Sequence, residues 1–125
     1  MPKGGDAILD EMSRLVAARA MAVAKSDNWP DVQGVIIDMA PTLETAQGFV
    51  DGADALENPK RQKGAKTGKE VGRIDSFRQR ALDNEMAEVN ALITEAAKVT
   101  RVMVEASHES PEFYHMVMLQ VTAKC

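Results

Sequence analysis

LDNEMAEVNALITEAAKVTRVMVEASH, residues 82–108, is the stretch that sets the fold class. Leu82, Met86, Val89, Ile93, Ala96, Thr100 and Met103 recur at alternating intervals of four and three. That spacing holds one stripe on one face of an α-helix. Val99, Val102 and Ala106 widen the stripe beyond a two-stranded seam, which favours the core of a bundle. Upstream, Ile74, Phe77 and Ala81 also share a helical face, but Asp75 and Gln79 occupy the strict heptad positions there, so the register shifts near Ala81. Thr67-x-x-Glu70 has the form of a capping box, and Ser76-x-x-Gln79 offers a second start after Gly72. Ser110-Pro111 closes the stretch, because proline cannot continue a helix. The pattern therefore predicts one long helix from about Thr67 to His108. Some forty residues at about 1.5 Å each span on the order of 60 Å. A compact monomer of this size is only about 30 Å across. Such a helix must kink, or protrude and find a partner.

The segments on either side are short and helical in pattern. Asp6 follows two glycines as an N-cap, and Leu9, Met12, Val16, Ala20 and Val23 form the expected buried stripe of the first helix. Ala17, Ala18, Ala20, Ala22 and Ala24 permit close approach of a neighbour. Ser26-Asp27-Asn28 turns the chain, and Trp29-Pro30 opens a second helix with proline in its first turn. Trp29 reads as an apolar plug at a helix corner. Val32, Val35, Ile36 and Met39 give this helix its inner face. Ala40-Pro41 predicts a break. Leu43, Ala46, Val50, Ala53 and Leu56 resume the helical spacing, and Gly48 and Gly52 on that segment predict a close backbone crossing. After Ser110-Pro111 comes a last helix, apolar nearly all round. The expected fold is all-α: a single domain over residues 1–125, a bundle of about four to five helices built around the long one, with a basic glycine-containing loop at about 57–68.

Hydrophobic residues make up 45% of the 125, enough for a core, and aromatics only 4%, so that core must be aliphatic with methionine as filler. The single cysteine, Cys125, excludes an intrachain disulfide. The first residues lack the apolar run of a signal peptide, and no run approaches membrane-spanning length. These features predict a cytoplasmic protein, or one of the virion and host cytoplasm if phage-encoded, with no membrane partner.

Charge is uneven. Lys60 to Arg80 holds eight basic and two acidic side chains, whereas the rest of the chain holds seven basic and seventeen acidic. Lys60, Arg61, Lys63, Lys66 and Lys69 are thus candidates for contacting phosphates or an acidic partner. The alternative is a solvated connector whose charges answer acidic faces of the same molecule. Overall acidity, and the lack of aromatics between Lys60 and Lys69, argue against a dedicated nucleic-acid binder. Gly64-Ala-Lys-Thr-Gly-Lys-Glu70 fails as a phosphate-binding loop, because its glycine spacing is one short and Glu70 stands where a hydroxyl should hold magnesium.

Glu105-x-x-His108 and Glu112-x-x-His115 place carboxylate and imidazole on one helical side, as carboxylate-bridged di-metal bundles do. They flank one turn, near a bundle end and away from mid-core, so the sequence assigns no metal and no cofactor. Cys125 is terminal, and no Ser, His and acid arrangement arises from spacing, so no catalytic residue is assigned.

The expectation is a non-enzymatic helical interaction or assembly factor, in the class of adaptors, chaperones, phage assembly proteins and small inhibitors. It self-associates and binds another protein. The expected interface is the last helix with the end of the long one: Phe113, Met116, Val117, Leu119, Val121 and Met103. A nucleic-acid-associated protein and a small metallo-bundle are the alternatives.

Overall fold

The structure, a computed structural model, describes residues 4–24, 27–57, 64–83 and 89–123. Six helices follow one another among them: α1 (Gly4–Ala24), α2 (Trp29–Met39), α3 (Leu43–Glu57), α4 (Gly64–Asp83), α5 (Val89–Ala106) and α6 (Pro111–Thr122). The fold is all-α, and α5 touches each of the other five helices. Its inner side chains are those of the 4–3 stripe: Val89, Ile93, Ala96, Thr100 and Met103 are buried, with Leu92 and Val99 beside them. A helix can face several neighbours only if its apolar arc is wide, and the broadened stripe supplies that width.

The expected long helix is instead two. Arg78 of α4 and Thr94 of α5 line the same small cavity with Ala53 and Leu56. In a straight helix, residues so far apart in sequence would stand about 24 Å from each other. The two halves therefore lie beside one another, and no helix of 60 Å protrudes from the described residues. The register shift near Ala81 marks where the two apolar faces part, and each then finds its own partners. Ile74 and Ala81 are buried, on α4, whereas the stripe from Val89 onward serves the bundle centre. Leu82, assigned to the long stripe, is exposed on α4; Met86 lies outside the described residues. α4 also begins at Gly64, ahead of Thr67, and the Glu70 carboxylate accepts from Arg73 at 2.7 Å.

The other boundaries follow their sequence signals. α2 buries Val32, Val35, Ile36 and Met39 and stops at Ala40-Pro41. Thr42 caps α3: its Oγ1 accepts from the Thr45 amide at 3.1 Å, while the Thr45 hydroxyl accepts from the Thr42 amide at 2.9 Å. Trp29 is half-buried against the core. At the α3–α4 crossing, a Cβ on Gly52 would sit 3.2 Å from the Glu70 backbone and 3.0 Å from Ile74 Cδ1. A Cβ on Gly48 would meet the Glu70 carboxyl group at 2.7 Å. The two glycines thus permit the close approach their spacing predicted.

α6 is locked into the chain at both ends. Ser110 is its N-cap, accepting from the Phe113 amide at 3.2 Å. The Tyr114 hydroxyl donates to the Ala40 carbonyl at 2.9 Å, satisfying a backbone group that the α2–α3 break leaves without a helical partner. At the C-terminal end, Gln33 Nε2 donates to the Val121 carbonyl at 3.0 Å.

Candidate functional site

α1 departs most from the pattern read in its sequence. Its most deeply buried residues are Ser13, Ala17, Ala20 and Ala24, which lie against α5 and α6. Leu9 and Val16 flank them, half-buried. Met12 and Val23, expected in the core, are exposed. At about 100° per residue the buried arc is rotated by roughly 70° from the expected stripe. The cause is steric. Alanine and serine let α5 and α6 approach closely, and a face of Leu, Met and Val would hold them away. Ser13 tolerates burial because its hydroxyl donates to the Asp10 carbonyl at 2.7 Å.

The large side chains of α1 are consequently turned outward. Ile8, Met12 and Leu15 are 62%, 48% and 60% exposed. With Arg19, Ala22 and Val23 they occupy about 100° of arc on the outer side. Of the eight large exposed apolar side chains among the described residues, five lie on α1, so the apolar surface is concentrated there. A contiguous exposed patch of this kind marks a contact surface more often than scattered leucines do.

The residues expected at an oligomer interface are placed differently. Phe113, Val117, Val121 and Met103 are buried within the single chain, Met116 is half-buried, and Leu119 alone is exposed. Tyr114 is buried as well, and burial pushes its phenol well above the ordinary range. The apolar character of α6 all round is answered by neighbours on several sides, α1 above all.

Of the basic candidates, Lys60, Arg61 and Lys63 lie outside the described residues. Lys66 falls in the first turns of α4, and Lys69 is exposed. The arginines that follow are engaged with acids. Arg73 pairs with Glu70 at 2.7 Å, Arg78 with Asp75 at 3.4 Å, and Arg80 with Asp38 of α2 at 3.1 Å. Arg80 also lies over the Phe77 ring, 5.8 Å from its centroid. Part of the basic charge therefore answers acidic groups of the same chain.

Glu105, His108, Glu112 and His115 are all exposed. Among the described residues no three His, Cys, Asp or Glu side chains gather as a metal site requires. A groove of about 400 Å³ runs between α2 and α4, floored by Val35, Phe77 and Ala81, with Asp31, Asp38 and Arg80 along it. Its acids and its arginine include the Asp38–Arg80 pair, which leaves no convergent set of free polar groups. No described helix is long and apolar enough to cross a membrane.

No protein-family model matches the chain, and neither a curated protein nor a solved structure gives a significant match.

Sequence reasoning missed the outer face of α1, although its signal was present. Ile8, Met12, Leu15, Arg19 and Ala22 step by four and three, as regularly as the stripe of α5. Two stripes competed on one helix, and periodicity alone does not say which of them faces inward. Phe49, fully buried on α3, was also missed.

Proposed function

We propose that this chain is a non-enzymatic helical interaction and assembly protein that self-associates through the outer side of α1. The observation that carries the reading is the outward orientation of Ile8, Met12 and Leu15 on a helix whose alanines already occupy the core contacts. The last helix is the weaker candidate, because its aromatic and branched side chains are committed inside the chain.

Magnitudes favour a reversible contact. Covering a fully exposed Leu, Ile or Met contributes about 1.5–3 kcal/mol, so these partly covered side chains offer about 1–2 kcal/mol each. Three from each of two copies give on the order of 6–12 kcal/mol. Association costs about 4 kcal/mol at the least. The upper end of that range leaves about 8 kcal/mol, a dissociation constant in the micromolar range.

Light scattering over a dilution series tests this directly. The expected result is a mass that falls from dimer or larger assembly toward monomer on dilution through the micromolar range. A strict monomer of 13.6 kDa at tens of micromolar would remove the reading.

A further inference from the structure

We infer that two copies pair their α1 helices antiparallel about a two-fold axis at Leu15, an arrangement that rests on the self-association just proposed. Charge on and beside the outer arc selects this orientation, and side-chain size agrees with it. Glu11, beside the outer arc, and Arg19, on it, are both exposed, four residues either side of Leu15, and no ion pair joins either to another described residue. Arg14 differs, because Asp10 holds it at 3.1 Å on the same helix. Parallel helices in register would set Arg19 against Arg19 and Glu11 against Glu11, which is repulsive. Antiparallel helices set Glu11 of each copy beside Arg19 of the other, twice, as a two-fold interface requires.

One size match falls in the same register. Leu15 meets Leu15 on the axis, and Ile8 falls beside Ala22 of the second copy, so a large side chain faces a small one at each end of the contact. Arg19 interrupts an otherwise apolar stripe, and a lone charge on a helical seam fixes register and orientation at some cost in affinity. In this register its head finds a carboxylate at the edge of the contact, while its stem covers Ile8.

A charge-reversal cycle on the full chain tests the geometry, read by sedimentation equilibrium. Glu11→Lys and Arg19→Glu should each weaken self-association by roughly five- to tenfold, given what exposed pairs and like-charge contacts contribute. The double variant should return to within about twofold of the original. Both side chains are exposed, so circular dichroism and the melting temperature should stay unchanged in all three. Leu15→Cys in a Cys125→Ser background should form an interchain disulfide under mild oxidation, because a residue on a two-fold axis meets itself. If the unsubstituted chain is monomeric, both the self-association and this geometry are overturned. If it associates and the single reversals leave the affinity untouched, the geometry alone is overturned. If the singles weaken association and the double is weaker still, the antiparallel orientation is overturned.

Discussion

α1 and α6 pack against each other, and both are rich in apolar residues, yet they spend them in opposite ways. α6 turns Phe113, Tyr114, Val117 and Val121 inward and leaves Leu119 outside. α1 turns Ser13, Ala17, Ala20 and Ala24 inward and leaves Ile8, Met12 and Leu15 outside. The difference shows that apolar content does not decide which side of a helix is buried. Fit to the neighbours does. Near α5 and α6 there is room for methyl groups along α1, and the closeness so gained gives α5 its dense contact. The α3–α4 crossing obeys the same rule, with Gly48 and Gly52 in the role of the alanines.

The strongest way to break this contrast is to place a charge on each helix. Val117 is fully buried. Val117→Asp should destabilise the fold by roughly 3–5 kcal/mol, since an unpaired carboxylate would be trapped in the core. Leu15→Asp, on an apolar side chain of similar size, should shift the stability of the dilute monomer by no more than about 0.5 kcal/mol. Chemical denaturation at low protein concentration measures both. Equal losses would mean that α1 does not face outward as described.

The next largest effect tests why alanine faces in. Ala20 has no exposed surface. Ala20→Leu should cost about 1–3 kcal/mol through overpacking against α5 and α6, despite the added hydrophobicity. A gain in melting temperature would show that the closeness of the helices is not what orients α1.

Tyr114 supplies a smaller, pH-dependent test on the α6 side. Tyr114→Phe removes the hydrogen bond to the Ala40 carbonyl and should cost about 1 kcal/mol at neutral pH. The folded-state pKa of the phenol is raised by burial above its unfolded value near 10. Its contribution is therefore intact below pH 10 and is lost as pH rises above that value toward the raised one. The native chain should lose stability in that alkaline window more steeply than the Phe variant. Tyr114 is the only tyrosine, so phenolate absorbance follows the same event without interference. Ionisation near pH 10 with no coupled unfolding would contradict the burial of α6.

How far the sequence reached can be read from the same helices. The α5 stripe, the break at Ala40-Pro41, the Ser110 cap and the glycine crossing were legible, because each depends on local chemistry: periodicity, a missing amide, a hydroxyl acceptor, a missing Cβ. Two things were not. The Thr67–His108 stretch became two helices, because the choice between a long helix and a pair depends on which partners Ile74 and Val89 find. The facing of α1 depends likewise on the distance to α5 and α6, which periodicity does not encode when two stripes share one helix. The expected contact surface was assigned to α6 for that reason. Its continuous apolar run was visible, and the chain's capacity to cover it was not.

Sedimentation velocity on two single variants, Leu15→Lys and Leu119→Lys, tests the central claim most directly. Both residues are exposed to a similar degree, 60% and 58%, so both variants should fold. With α1 as the contact surface, Leu15→Lys shifts the chain to monomer at concentrations where the unsubstituted protein associates, and Leu119→Lys leaves association as it was. Dissociation by Leu119→Lys with none by Leu15→Lys would contradict the account and return the interface to the last helix.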